Sequence, residues 1–150
     1  MITPNENSRS DSQPSLPQTP AVTQPRSTRG TILLVEDDRS IRRYLEVILQ
    51  RAGYTVVAAA DGLEAMKAAL SNRLDAVITD AIMPHLNGYE LCRFLRRHPK
   101  MSQLPVILLS GVERADSSQE EADRADVYLS KPVRPEELTR SVARLLLKAA

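Results

Sequence analysis

Four apolar runs in the chain each end in, or just before, polar side chains that can do chemistry. Acids at 36–38 follow the first such run, and Asp80, Ser110 and Lys131 follow three later ones. Carboxylates that crowd together repel each other unless a cation neutralises them. Mg²⁺ suits such a site, because it takes oxygen ligands in an octahedral shell and keeps waters that a phosphate can displace. These residue types together predict a magnesium-dependent phosphate site.

Asp80 supplies a carboxylate that could act as a nucleophile toward a phosphoryl group. Mg²⁺ and the Lys131 ammonium would stabilise charge on the transferring oxygens, and Ser110 could donate a hydrogen bond to the new phosphoryl group. Taken singly, an Asp after a strand is usually a helix cap or turn residue, and a Lys before Pro is usually a loop residue. The joint pattern at corresponding strand ends favours phosphoryl chemistry.

The elements that must position these residues alternate between apolar runs and amphipathic stretches. An apolar run without internal alternation is typical of a parallel strand buried on both faces. We predict five such strands, at residues 31–35, 55–58, 75–79, 104–109 and 127–129. Strict alternation of strands with helices predicts an α/β fold with a doubly wound parallel sheet and right-handed crossovers. In such sheets ligands bind outside the carboxyl ends of the strands, where the four polar positions lie.

Five amphipathic segments between and after the strands have helical spacing. The first ends at Gly53, a typical C-cap residue, and the second begins with a capping box of Asp61 and Glu64. The remaining helices are predicted at 88–97, at 113–124 and from Pro135 onward. The predicted buried positions are, in the first helix, Ile41, Leu45, Ile48, Leu49 and Ala52; in the second, Leu63, Met66 and Leu70; in the third, Leu91, Phe94 and Leu95; and in the last, Leu138, Val142, Leu145 and Leu146.

Composition bounds the class of protein. The chain has 150 residues, which predicts one domain, and a net charge of +1, without the basic excess of a nucleic-acid-binding domain. The single cysteine, Cys92, cannot form an internal disulfide. The lack of an internal disulfide and of a signal peptide predicts a cytoplasmic protein. The lack of an apolar run of about 20 residues predicts that it does not cross the membrane.

Residues 1–29 differ in kind from the rest. They contain five of the ten prolines, many Ser, Thr and Gln residues, and no aromatic residue. Such a segment buries too little apolar surface to offset the entropy of ordering it. We therefore predict a disordered tail at 1–29 and a folded domain at 30–150.

The folded part resembles one family, the receiver domains of two-component response regulators. The motifs that carry the resemblance are Leu-Leu-Val-Glu-Asp-Asp at 33–38, Asp-Ala-Ile-Met-Pro-His-Leu-Asn-Gly at 80–88, Leu-Leu-Ser-Gly at 108–111 and Tyr-Leu-Ser-Lys-Pro at 128–132. The resemblance implies a flavodoxin-like (βα)5 sheet with strand order 2-1-3-4-5. It also implies a phosphorelay switch in which Asp80 becomes a 4-aspartylphosphate.

Several roles follow from the resemblance alone. Glu36, Asp37, Asp80 and the backbone carbonyl of Ile82 match the family's Mg²⁺ ligands. Lys131 matches its phosphate-contacting lysine, and the bond to the following proline matches a position that is usually cis. The switch positions are Ser110 and Tyr128.

The resemblance also implies partners. The phosphodonor would be a histidine kinase or a histidine phosphotransfer protein. No direct nucleic-acid contact is expected in this chain, and homodimerisation on phosphorylation stays an open prediction. The chain would be a switch rather than an enzyme, acting only on its own phosphoryl group.

The sequence departs from the family pattern at Asn87, where Asp is common, and at Arg124, where Gly often stands. The stretch from Ser110 to Lys131 is also about one residue shorter than in the family. This puts the helix at 113–124 in doubt as a regular element. Asn87 can cap a helix as well as Asp does. None of these departures touches the acceptor site.

Three alternatives stay open. An Asp-nucleophile phosphatase would need a second acid two residues after the nucleophile, where this chain has Ile82. A pseudo-receiver, which binds proteins without taking phosphate, disagrees with the complete acceptor set. The chain could also be a fragment of a larger regulator or hybrid kinase.

Overall fold

The computed structural model describes residues 29–111 and 125–149. Its five strands form one parallel sheet in the order β2-β1-β3-β4-β5, as expected. The strands are β1 Thr31–Val35, β2 Thr55–Ala59, β3 Ala76–Asp80, β4 Val106–Ser110 and β5 Val127–Ser130. The described helices are α1 Arg39–Arg51, α2 Gly62–Ser71, α3 Gly88–Arg97 and α4 Pro135–Ala149. The helix predicted at 113–124 and the tail predicted at 1–29, apart from Arg29, lie outside the described residues.

The sheet is covered on both faces, because successive residues of each strand point to opposite sides. One apolar cluster joins Ile32 and Leu34 of β1 to α1 and α4, and a second joins Leu33 and Val35 to α2 and α3. Cys92 is buried in the second cluster. The doubly wound architecture is therefore confirmed for the described residues.

Six strand boundaries, two starts and four ends, differ from the predicted ones. β3 begins at Ala76 rather than at residue 75, because the Asp75 carboxylate turns back to accept a hydrogen bond from the Thr31 amide at 2.8 Å. β4 begins at Val106, after Pro105, and proline has no N–H to donate to a ladder. β2, β3, β4 and β5 each reach one residue further than predicted. Asp80 and Ser110 are therefore the last residues of β3 and β4.

The buried face predicted for α2 is wrong. Leu63 and Leu70 are 55% and 60% exposed, and the helix instead buries Ala65 and Ala69 against the sheet. Because alanine side chains are small, the helix axis can approach the strands closely on the side that carries Ala65 and Ala69. Close packing, rather than the larger apolar side chains, therefore determines which side of α2 is buried. On α1, Ile41 was also predicted to be buried and is 39% exposed, whereas Leu45 and Leu49 are fully buried.

The described residues include no helix that is both long and apolar enough to cross a bilayer.

Gly88, the first residue of α3, packs directly on the end of β3. A Cβ at this position would overlap the carbonyl oxygen of Asp80 and would lie 3.0 Å from Ala81 Cα. The Gly88 amide also donates to the Ala81 carbonyl at 2.9 Å. The absence of a side chain therefore lets α3 hold the backbone that carries Asp80.

We expect Gly88→Ala to destabilise the fold by about 1–3 kcal/mol, because overpacking against backbone cannot be relieved by a side-chain rotation. Gly111→Ala is the matched control, since the nearest heavy atom to its added Cβ is Lys131 Cδ at 3.9 Å. Urea unfolding of both variants measures the difference. Equal midpoints for Gly88→Ala and the wild type would contradict the tight packing of α3 on β3.

Candidate functional site

Hydrogen bonds on both sides of Asp80 hold its backbone in place. It ends β3, a strand whose five residues are all buried, and its own residue is 5% exposed. The next amide, Ala81, donates to the Leu109 carbonyl at 2.8 Å, and the Thr79 hydroxyl donates to the Asp80 carbonyl at 2.9 Å. The carboxylate therefore occupies a fixed place at the carboxyl edge of the sheet.

Lys131 reaches this carboxylate from the other side of β4. Its amide donates to the Ser110 carbonyl at 2.9 Å, and its peptide bond to Pro132 is cis, as the resemblance implied. Its ammonium donates to Asp80 Oδ2 at 3.0 Å and lies 3.6 Å from Glu36 Oε1, just beyond hydrogen-bonding range. One cation thus faces two carboxylates.

Glu36, Asp37 and Asp80 form an acidic cluster. One carboxylate oxygen of each lies within 4.8 Å of the others. Glu36 is 1% exposed, and its Oε2 accepts from the Asp38 amide at 3.1 Å. Its Oε1 is buried and accepts no hydrogen bond from any described residue. A buried acceptor without a donor, beside two other carboxylates, fits the chemistry of a divalent cation with oxygen ligands.

The electrostatics support this assignment. Burial is the largest cause that raises the pKa of Glu36 above its ordinary value of 4.5, and the nearby Asp80 carboxylate raises it further. The pKa of Lys131 is also raised: burial lowers it, but the hydrogen bond and charge of Asp80, together with the charge of Glu36, outweigh that effect. The ammonium therefore stays charged, while Glu36 ionises at some cost in free energy.

The remaining predicted residues lie at the end of β4, within β5 and just after β3. Ser110 ends β4, half-buried, one residue beyond Leu109, which is the register partner of Asp80. Tyr128 lies in β5, and its hydroxyl accepts from the Ala125 amide at 3.2 Å. Ile82 follows the acceptor strand and is 69% exposed, so its side chain lies in solvent beside the site.

Two supporting residues also fix the acidic turn after β1. Asp38 caps α1, with its carboxylate accepting from the Ile41 amide at 2.9 Å. Arg42 donates from its guanidinium to the Glu36 carbonyl at 2.8 Å, a contact that sequence reasoning missed. The sequence offers only one indication of this contact, namely that Arg42 lies in the first turn of the helix that follows the acids. That indication is too weak to predict the contact. At α3, Asn87 caps the helix, as expected, and it also makes a complete capping box with Glu90.

A family model described as the response regulator receiver domain matches residues 32–143. Among curated relatives, the transcriptional regulatory protein GltR of Pseudomonas aeruginosa is 36% identical over 126 residues, covering 79% of this chain and 50% of GltR. The alkaline phosphatase synthesis transcriptional regulatory protein PhoP of Bacillus subtilis is 34% identical, covering 79% of this chain and 49% of PhoP.

Solved structures agree with the sequence relatives. The chemotaxis protein CheY4 of Vibrio cholerae is 35% identical with a TM-score of 0.72, covering 77% of this chain and 97% of CheY4. The response regulator TrrA of Thermotoga maritima, solved in complex with Mg²⁺-BeF, is 34% identical with a TM-score of 0.70, covering 77% of this chain and 97% of TrrA.

The chain belongs to the response regulator receiver domain family of two-component signal transduction. It spans about half the length of the curated relatives it matches.

The raised pKa of Glu36 predicts a pH dependence for the metal-free protein. A carboxyl whose pKa is raised by folding contributes stability below its unfolded pKa, near 4.5, and loses that contribution as the pH rises through the folded value. In the presence of EDTA, Glu36→Gln should therefore melt at a higher temperature than the wild type at neutral pH, and the gap should close in acid. Calorimetry across the pH range measures both.

The same variant should lose the increase in melting temperature that Mg²⁺ gives the wild type, because a ligand is gone. Asp38→Asn is the matched control: it removes one charge from the same turn and keeps a capping side chain. A full Mg²⁺ shift in Glu36→Gln would show that Glu36 does not hold the metal. Loss of the shift in Asp38→Asn as well would show that the effect reflects the charge of the turn rather than ligation by Glu36.

Proposed function

We propose that this chain is a phosphorylation-controlled switch whose acceptor is Asp80. The observation that carries the proposal is the Asp80 carboxylate, buried at the end of β3, hydrogen-bonded to Lys131 at 3.0 Å and clustered with Glu36 and Asp37. The phosphodonor is a phosphohistidine of a histidine kinase or of a histidine phosphotransfer protein.

In the transfer, an oxygen of Asp80 attacks phosphorus as the bond from phosphorus to the donor's histidine nitrogen breaks. This displacement asks the protein for positioning and charge stabilisation rather than for acid–base chemistry. The buried strand end supplies the positioning. Lys131 supplies a positive charge that already contacts Oδ2 and can follow the charge onto the phosphoryl oxygens.

Glu36, Asp37, Asp80 and the backbone carbonyl of Ile82 would hold Mg²⁺, and the buried Glu36 oxygen that accepts no hydrogen bond is the observation that favours this ligand set. When bound, the ion would supply charge neutralisation for the carboxylates and for the phosphoryl oxygens. The residues present fit a hard cation, since every proposed ligand is an oxygen.

Ser110 and Tyr128 are proposed as the switch residues. Ser110 ends the strand next to β3, where its hydroxyl could donate to a phosphoryl oxygen on Asp80. A shift of Ser110 would disturb β5, because the Lys131 amide donates to the Ser110 carbonyl and Tyr128 lies three residues earlier. The two strands could thus convey the change at Asp80 to the surface around β5.

The wider assignment is also proposed. The receiver domain occupies residues 30–150, and the chain acts in the cytoplasm. It works by protein contacts rather than by catalysis on other substrates or by direct contact with nucleic acid. GltR and PhoP are named as transcriptional regulators, and each is about twice as long as its match here, so a receiver of this kind can be joined to an output region.

Asp80→Asn should abolish phosphorylation, because an amide cannot act as the nucleophile. Incubation with acetyl phosphate and Mg²⁺ should add one hydroxylamine-labile phosphoryl group to the wild type and none to the variant, as measured by intact-protein mass. Asp61→Asn, which keeps the side-chain cap of α2, is the control and should be labelled fully. Labelling of Asp80→Asn at the wild-type level would overturn the acceptor assignment.

Lys131→Met should separate metal binding from phosphoryl transfer. Removing the ammonium leaves more negative charge for a cation to neutralise, so Mg²⁺ should bind more tightly, while phosphorylation should slow by about tenfold or more. Titration calorimetry and labelling kinetics give the two values. Weaker Mg²⁺ binding with unchanged labelling would mean that Lys131 supports the fold rather than the transfer.

A further inference from the structure

The outer face of α2 carries an apolar stripe that the fold does not bury. Leu63 and Leu70 are seven residues apart, which places them on one side of the helix, and they are 55% and 60% exposed. Met66 lies between them, half-buried. Single exposed leucines are common on protein surfaces and need no explanation. Here two share one stripe while the same helix buries alanines instead.

The stripe continues into a groove at the C-terminal end of α2. This groove, with a volume of about 590 Å³, lies between the α2–β3 connection and the α3–β4 connection. Leu70 forms its rim, and Leu74, Met101 and Leu104 add apolar surface. Stripe and groove together make one surface, which we call the α2 surface.

The groove is positively charged. Arg73 and Lys100 line it together with His98, and no acid does so among the described residues that form its walls. The neighbouring acid Asp75 does not line the groove, and its carboxylate accepts from the Thr31 amide of β1 at 2.8 Å. The charge of the groove is therefore left for an anionic partner to complement.

We propose that the α2 surface docks an amphipathic helix of another protein, with apolar side chains on the stripe and carboxylates over the groove. Leu63 and Leu70 are separated by roughly 10.5 Å along the axis, which matches the i, i+7 spacing of apolar anchors on a partner helix. Charge fixes the polarity, since the acidic end must lie beside Arg73 and Lys100. This contact does not involve Asp80 directly, so it can be tested on the unphosphorylated protein.

The chain's own residues 1–28 fit the surface less well. They carry Glu6 and Asp11 but also Arg9 and Arg26, so their charges cancel. A partner in which apolar and acidic side chains are adjacent complements the groove better.

The test uses the full chain, labelled with ¹⁵N, and a fluorescent synthetic helix with leucines at i, i+3 and i+7 followed by three glutamates. Binding should perturb amide signals of α2 and of residues 98–104. Leu70→Ser and Arg73→Glu should each weaken it by about fivefold or more. Matched controls lie on α4: Leu147→Ser, at a leucine that is 77% exposed, and Arg144→Glu, at an exposed arginine, should leave binding unchanged.

Each other outcome overturns the proposal. A peptide with lysines in place of the glutamates should bind at least about tenfold more weakly, and equal binding would remove the role of the groove. Tighter binding after deletion of residues 1–28 would identify the tail as the occupant. A dimer in sedimentation that Leu70→Ser dissociates would identify a second copy. No binding at about 1 mM peptide, with unchanged melting temperatures of the variants, would leave α2 without a docking role.

Discussion

The hydrogen bond between Lys131 and Asp80 is the interaction on which the site depends. Asp80 and Glu36 are both buried, and burying ionised carboxylates is costly unless a cation compensates them. One ammonium faces both, at 3.0 Å and 3.6 Å. A buried ion pair is weak evidence for stability, since apolar replacements of whole pairs are often neutral or stabilising. We infer that this pair persists because the chemistry of the site needs both charges.

The backbone makes that pair possible. Each proposed site residue ends a parallel strand or follows one, so the register of the sheet alone brings the ends of β1, β3, β4 and β5 to one edge. The N-termini of two helices then fix the turns after β1 and β3. Asp38 caps α1 beside Glu36, and Gly88 lets α3 pack on the Asp80 carbonyl. The site is thus a property of strand ends and caps rather than of any loop that folds by itself.

This origin explains what sequence could predict. The strand cores, the acids that follow β1 and end β3, and Lys131 after β5 follow from apolar runs and from the geometry of parallel sheets. The described structure brings these acids and Lys131 together at one edge of the sheet. The buried side of α2 could not be predicted in this way, because hydrophobicity favours Leu63 and Leu70 whereas close helix–sheet packing favours Ala65 and Ala69. Long-range contacts such as Arg42 to the Glu36 carbonyl leave no local pattern. The raised pKa of Glu36 likewise arises from burial that only the assembled sheet creates.

The exposed leucines and the acceptor site are connected through α2. At its start, a Cβ on Gly62 would lie 2.6 Å from the Leu86 carbonyl oxygen, so α2 is packed against the segment that links Asp80 to α3. At its other end, Leu70 forms the rim of the positively charged groove. A change in the backbone after Asp80 must therefore be absorbed by Leu86 or passed to α2, because packed interiors transmit strain rather than compress. A partner held on the α2 surface would oppose a movement of α2 and would thereby change the equilibrium for phosphorylation of Asp80. By thermodynamic reciprocity, phosphorylation of Asp80 would change the affinity for that partner by the same factor.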